Sequence, residues 1–155
     1  MKKKIYVTLW ILWMVVIFWF SSQVAQDSQG MSDRVLAMIQ HMFPVTRSLD
    51  MAGYLAHMSF IIRKLAHFNE YAVLGVLSVL CAREYQMKNA YMIGFVWSVV
   101  YACSDEFHQL FVPGRSGQLI DVCIDSSGAL FGILCLWCWF YIREKIRKEQ
   151  IGLTK

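Results

Sequence analysis

The stretch SDEFHQLFVPGRSGQLIDVCID, which runs from Ser104 to Asp125, places four carboxylates, one histidine and one arginine between two apolar segments. These segments are residues 90–103 before it and residues 126–142 after it, and both are apolar enough for a lipid bilayer. An ionisable side chain at the centre of a transmembrane helix costs roughly 2.5–3.5 kcal/mol on insertion scales. The sequence therefore predicts that these groups are either paired with one another or used for function.

The composition of the whole chain indicates a membrane protein. Of its 155 residues, 57% are hydrophobic and only 17% are charged, whereas an ordinary soluble domain carries about 25% charged residues. No linker-like segment divides the chain, which predicts one all-α, polytopic membrane domain over residues 1–155. The net charge of +4 comes mainly from basic residues beside apolar runs. This arrangement is typical of membrane proteins, so nucleic acid is not an expected partner.

Four apolar segments predict a bundle of four transmembrane helices, at residues 5–22, 64–82, 90–110 and 118–142. The first segment follows three lysines and lacks a small-x-small cleavage site, so we interpret it as a retained signal anchor.

The segments outside the predicted spans have polar or amphipathic patterns. Residues 21–30 are expected to form a polar loop, and residues 31–60 short amphipathic helices at the extracytoplasmic interface. The first of these helices is expected to be capped by Ser32-Asp33 and stopped by Pro44, and the second to start near Ser48. Residues 143–155 are expected to be a basic cytoplasmic tail.

The basic residues also predict an orientation in the cell membrane. They are concentrated at the amino terminus, in residues 83–89 and in the carboxyl-terminal tail, which places both termini in the cytoplasm by the positive-inside rule. The polar ends of the second, third and fourth spans then all lie at the outer face. We take this convergence as the strongest functional signal in the sequence.

Helical spacing predicts which side chains share a face. At about 100° per residue, four side chains of the second span fall within an arc of about 120° that must face the bundle: Lys64, His67, Glu70 and Tyr71. In the fourth span Asp121 and Asp125 share a face with Gly128 and Gly132, which would let a neighbouring helix approach closely. Glu106 points about 100° away from Asp105, so the two acids are expected to make different contacts.

The cysteines and short motifs indicate no cofactor. Cys135-x-x-Cys138 has the spacing of a redox or zinc pair, but it lies within the apolar run LCLWCWF, where cysteine packs as a small hydrophobic residue. The five cysteines are scattered through apolar segments, which does not indicate a disulfide framework.

Three blocks of the sequence resemble the VanZ-like membrane proteins. They are KLAHFNEY from Lys64 to Tyr71, SDEFHQ from Ser104 to Gln109, and PGRSGQLIDVCIDSSG from Pro113 to Gly128. The resemblance covers roughly residues 59–139 and implies a multi-pass cell-envelope protein of Gram-positive bacteria. The named member of that family is linked to teicoplanin resistance, an antibiotic-resistance function. The resemblance does not imply a particular chemistry.

These residues leave three interpretations open. In the first, the ionisable residues at the outer ends of the second, third and fourth spans, here called the cluster, only pair with one another and fix the register of the helices. In the second, it binds an envelope molecule such as a lipid-linked cell-wall or teichoic-acid-type molecule or a glycopeptide, with membrane lipids around it and Arg115 as a bidentate contact. The expected ligand-binding residues are Lys64, His67, Glu70, Tyr71, Asp105, Glu106, Gln109, Arg115, Asp121 and Asp125.

The third interpretation is a membrane-embedded enzyme that acts on an envelope lipid or polymer. Its candidate catalytic residues are His67, Glu70, Asp105 and His108, with a histidine as general base beside a carboxylate. No resident metal is expected. If a divalent ion did bind, the candidate ligands would be Asp105, Asp121 and Asp125.

Overall fold

A computed structural model describes residues 2–42 and 51–153. Within those residues the chain is helical throughout except for short connections. In chain order the five helices are α1 (Lys2–Ser21), α2 (Ala25–Met42), α3 (Met51–Glu84), α4 (Ala90–Gln109) and α5 (Leu119–Leu153). The all-α class is confirmed, and the described residues contain no strand.

Three of the described helices are long and apolar enough to cross a membrane: Lys2–Ser21, Gly53–Glu84 and Leu119–Ile151. The third predicted span, residues 90–110, corresponds to α4, which does not meet that standard. Its last turns carry Asp105, Glu106 and Gln109, which lower its mean hydropathy. By length and composition the structure thus supports three spans where the sequence pattern predicted four.

The boundaries of α2 differ from the prediction. The expected polar loop over residues 21–30 is wrong from Ala25 onward, since α2 begins there and Ser32 lies inside the helix rather than at its cap. The helix packs against α3, and its buried side chains Ser28, Ser32 and Leu36 recur every fourth residue. The predicted stop at Pro44 and the predicted helix start near Ser48 lie outside the described residues.

Two helices are longer than the sequence pattern predicted. α3 is a single helix of 34 residues, with no break between its interfacial part and its apolar part. α5 continues past residue 142 to Leu153 without interruption. The described part of the basic tail is therefore helical, and residues 143–151 are exposed to solvent.

α3 and α5 form the closest seam of the bundle. A β-carbon on Gly128 would lie 2.1 Å from the carbonyl oxygen of Phe68, and one on Gly132 would lie 2.1 Å from that of Ala72. From the first of these contacts to the second, the position advances by four residues in α5 and by four residues in α3. The two helices therefore run parallel here. As the glycine spacing predicted, the absence of two side chains lets the backbones touch.

α1 is part of the bundle through apolar contacts and hydrogen bonds. The Trp10 indole nitrogen donates to the Ser78 hydroxyl at 2.9 Å, and the Tyr101 hydroxyl donates to the Met14 carbonyl at 2.7 Å. Ile17 is buried in the same core. Since hydrogen-bonding groups away from water need partners within the protein, these bonds fix α1 against α3 and α4.

The amino terminus and the carboxyl-terminal helix share one end of the bundle. The Lys3 ammonium lies 5.5 Å from the centre of the Tyr85 ring, and the Arg83 guanidinium lies 4.0 Å from the centre of the Phe140 ring. The connection between α3 and α4 therefore lies beside both the start of α1 and the later part of α5. All three segments carry basic residues.

Candidate functional site

Most of the ionisable residues singled out in the sequence gather at the opposite end, where α3, α4 and α5 meet the loop of residues 110–118. The outermost pair is Lys64 of α3 and Asp121 of α5, whose ammonium nitrogen and carboxylate oxygen are in direct contact. Both side chains are only partly exposed. Asp121 is therefore neutralised by a neighbouring lysine, as the structural interpretation of the cluster expects.

One turn deeper, three helices each contribute one side chain to a compact group. His67 of α3, Asp105 of α4 and Asp125 of α5 place one potential ligand atom each within 4.8 Å of the others. The His67 Nδ1 atom lies 3.8 Å from the Asp125 Oδ1 atom, which is too long for a hydrogen bond. We call these three residues the inner triad.

Buried neighbours lie beside the inner triad, and Tyr71 lies on its deep side, toward the centre of the bundle. Tyr71, one turn further along α3 than His67, is fully buried and lies within electrostatic range of Asp105 and Asp125. The Gln109 amide donates to the Asp105 Oδ2 atom at 3.3 Å. Both residues were predicted to face the site, and the structure places both around the triad.

Glu106 makes a different contact from Asp105, as the helical spacing predicted. Its Oε2 atom accepts a hydrogen bond from the backbone N–H of Gln118 at 2.9 Å. Gln118 directly precedes α5, so a carboxylate of α4 lies at the positive end of the α5 helix dipole, where negative charge is stabilising. Glu106 thus joins two helices and is not part of the inner triad.

Arg115, which was predicted to make a bidentate contact with a ligand, donates hydrogen bonds to the backbone at the end of α1 in this structure. Its Nε atom donates to the Gln23 carbonyl at 3.0 Å, and its Nη2 atom donates to the Phe20 carbonyl at 3.3 Å. These carbonyls lie at and just beyond the carboxyl end of α1, where backbone oxygens lack helical partners. Two of the three guanidinium nitrogens therefore tie the loop to α1.

The remaining candidate catalytic residues lie beside the triad rather than within it. His108 packs on the Phe18 ring at 4.6 Å between ring centroids, and its Nε2 atom lies 3.3 Å from the Ser22 hydroxyl. The Glu70 backbone carbonyl accepts a hydrogen bond from the Trp13 indole at 2.8 Å. Of the four catalytic candidates, only His67 and Asp105 belong to the inner triad.

Two adjacent cavities open beside the cluster. The first, which we call the polar cavity, has a volume of about 130 Å³ and is lined in part by Arg63, Lys64, His67, Arg115 and Asp121. The second, the apolar cavity, has a volume of about 440 Å³ and reaches between α2 and α3 past Met31, Val35 and Ile62. Three side chains line both cavities: Arg63, His67 and Arg115.

Arg63 is a site residue that the sequence analysis missed. It is half-buried at the boundary between the two cavities, and no carboxylate of the described chain lies within 4 Å of its guanidinium. Arg34 of α2 also lines the apolar cavity. Arg63 could have been noticed because it directly precedes Lys64 within an otherwise apolar run, whereas nothing in the spacing of Arg34 pointed to the site.

A family model described as VanZ/LLP1 matches residues 6–141, so the match includes α1 as well as the blocks that form the cluster. No curated protein and no solved structure matches the chain.

Proposed function

Because the chain belongs to the VanZ/LLP1 family, we propose that it is a four-span membrane protein that binds an anionic, lipid-linked molecule of the cell envelope. The head group occupies the polar cavity, and part of the lipid chain lies in the apolar cavity.

The burial pattern of α4 supports a fourth span. The helix has 20 residues, which at about 1.5 Å per residue matches the roughly 30 Å hydrocarbon core. Its acidic residues Asp105 and Glu106 are buried in the bundle, whereas Met92, Val96 and Val100 are exposed. The polar groups that lower its mean hydropathy would therefore be shielded from lipid by α3 and α5.

The distribution of basic residues supports an outer location for the site. The bundle end that carries the amino terminus and the α3–α4 connection is rich in lysine and arginine, which favours the cytoplasm. The cluster is at the other end, which would face the compartment where wall precursors and lipid-linked polymers are found. We place both termini in the cytoplasm on this ground.

The observation that carries the binding proposal is the pair of arginines at the boundary between the cavities. Arg63 and Arg115 are both half-buried, and neither has a carboxylate of the described chain within 4 Å. A guanidinium matches the geometry of a phosphate or carboxylate, and a half-buried cation without a protein counter-ion favours an anionic ligand. The polar cavity has room for roughly ten waters at 10–15 Å³ each, and so for a small head group.

The apolar cavity supports an amphiphile rather than a free anion. Its volume of about 440 Å³ falls within the usual range of ligand sites, which are mostly apolar with a few polar groups. Since Arg63, His67 and Arg115 line both cavities, a ligand could place its charge against these side chains and its first apolar units between α2 and α3.

A binding measurement with a fluorescent polyprenyl phosphate tests this proposal on protein in lipid nanodiscs. Wild type is expected to bind the phosphate and to bind the matching polyprenol at least tenfold more weakly, since the alcohol lacks the charge that the arginines would pair with. Arg63→Gln should weaken phosphate binding by about tenfold or more, which corresponds to a lost charge-assisted contact. The control Arg143→Gln removes an exposed arginine at the far end of the bundle and should leave binding unchanged.

The same variants connect binding to antibiotic tolerance. Expression of wild type is expected to raise the teicoplanin concentration that a sensitive Gram-positive host survives, and Arg63→Gln is expected to abolish that increase while Arg143→Gln retains it. Equal affinity for the phosphate and the alcohol, or equal affinity of both variants, would contradict the proposal and favour a purely structural cluster.

A further inference from the structure

The inner triad contains buried ligand atoms that the protein itself leaves without partners. Asp125 is fully buried, and neither of its carboxylate oxygens has a hydrogen-bond partner in the described part of the chain. The same holds for the His67 Nδ1 atom and the Asp105 Oδ1 atom. Buried polar atoms in folded proteins nearly always have partners, so a group of such atoms indicates something that binds between them.

No lysine or arginine of the described residues lies within 4 Å of either buried carboxylate. The nearest lysine, Lys64, pairs with Asp121 instead, and Arg115 donates to backbone carbonyls of α1. His67 is the one basic group within 4 Å of Asp125 in the described residues, at 3.8 Å. Two carboxylates and one imidazole nitrogen thus converge from three helices with no counter-ion at the centre.

We infer that His67, Asp105 and Asp125 bind a divalent transition-metal ion. Their ligand atoms lie within 4.8 Å of one another, and bonds of about 2.0–2.2 Å to a tetrahedral ion put ligand atoms about 3.3–3.6 Å apart. Side-chain rotations that move each ligand atom by about 1 Å would close that difference. One imidazole nitrogen with two carboxylate oxygens suits Zn²⁺ or Mn²⁺ better than Ca²⁺ or Mg²⁺, which prefer oxygen ligands alone.

The proposed ion lies beside the polar cavity, because His67 lines that cavity. Three protein ligands leave a coordination position open, and an anionic head group in the cavity could occupy it. Metal binding does not depend on that ligand, so the metal site and the lipid site can be tested separately.

Equilibrium dialysis of detergent-purified protein against Zn²⁺ and against Mn²⁺, followed by elemental analysis, tests the inference. Wild type is expected to retain about one ion per chain after exchange into metal-free buffer. Asp125→Asn and His67→Gln are expected to weaken binding by roughly tenfold or more. Two matched controls, Asp27→Asn and His57→Gln, change exposed residues of α2 and α3 and should retain the ion.

A second readout separates a lost ligand from a lost fold. Addition of the metal should raise the unfolding temperature of wild type and of both controls, but not of Asp125→Asn or His67→Gln. The inference is wrong if wild type binds no ion in dialysis, or if Asp125→Asn and His67→Gln bind as much as the controls. If both site variants fail to fold, the dialysis of wild type alone decides whether the site binds a metal. Lipid binding to metal-free protein shows whether the proposed function stands without the ion.

Discussion

Alanine at Gly132 is expected to destabilise the bundle, because this glycine is at one of the closest approaches of α5 to α3. The β-carbon of an alanine would lie 2.1 Å from the carbonyl oxygen of Ala72 and 2.7 Å from its carbonyl carbon. Both atoms belong to the backbone, so no side chain can rotate away. The helices would have to separate by about 1 Å to restore an ordinary van der Waals contact.

The magnitude follows from a comparison with Gly30 of α2. A β-carbon on Gly30 would meet no atom within 4 Å, so Gly30→Ala should only gain helix propensity, up to about 1 kcal/mol. Over-packing of a close-packed contact costs about 1–3 kcal/mol. Since the propensity gain is common to both changes, the free energy of unfolding of Gly132→Ala should be about 1–3 kcal/mol below that of Gly30→Ala.

Equilibrium unfolding in mixed micelles, followed by far-ultraviolet circular dichroism as the fraction of SDS is raised, measures this difference. Gly132→Ala is expected to unfold at a lower SDS fraction than wild type, and Gly30→Ala at the same or a higher fraction. Equal midpoints for the two variants would refute the argument, because the α3–α5 backbones could not then be in contact at this position.

Two further predictions concern contacts elsewhere in the bundle. Trp10→Phe removes the hydrogen bond to Ser78 and should lower the free energy of unfolding by about 1 kcal/mol. The control Trp139→Phe changes an exposed residue and should alter the free energy of unfolding by less than about 0.5 kcal/mol. Equal losses in the two variants would show that the hydrogen bond contributes nothing. Lys64→Met and Asp121→Leu should each cost about 1–3 kcal/mol, less than the 3–5 kcal/mol of a fully buried pair, because both side chains are partly exposed. The double variant should lose less than the sum of the two, and an additive result would show that the pair is not coupled.

Features that depend on spacing within one helix could be predicted from the sequence. The common face of Asp125, Gly128 and Gly132 follows from the helical repeat alone, and the structure places all three against α3 or at its boundary. The separate contacts of Asp105 and Glu106 follow in the same way. These features are local, so they need no knowledge of which helix lies alongside.

Features that depend on the register between helices could not be predicted. Asp121 was predicted to share a potential metal site with Asp105 and Asp125, but the structure pairs Asp121 with Lys64 and brings His67 to the other two. The spacing of residues within one helix does not determine which turn of α3 faces which turn of α5. That register is set by the backbone contact at the glycines, which is a property of the packed pair.

The start of α2 was missed for a different reason. Hydrophobic spacing was the signal used to find helices, whereas α2 buries two serines, Ser28 and Ser32, on the same face as Leu36. Small side chains allow close packing without apolar character. A search for small residues at every fourth position would have extended the predicted helix toward Ala25.

The hydrogen bonds of α1 have a consequence for the order in which the protein assembles during synthesis. The partners Trp10 and Ser78 are 68 residues apart in the chain, and Met14 and Tyr101 are 87 residues apart. At about 5–20 residues per second, a ribosome makes Ser78 roughly 3–14 s after Trp10. During that interval α1 must remain in the bilayer as a lone helix, with its indole N–H lacking its final acceptor. A nascent chain stopped before α3 should therefore hold α1 in the membrane while leaving its rotation about its own axis unfixed.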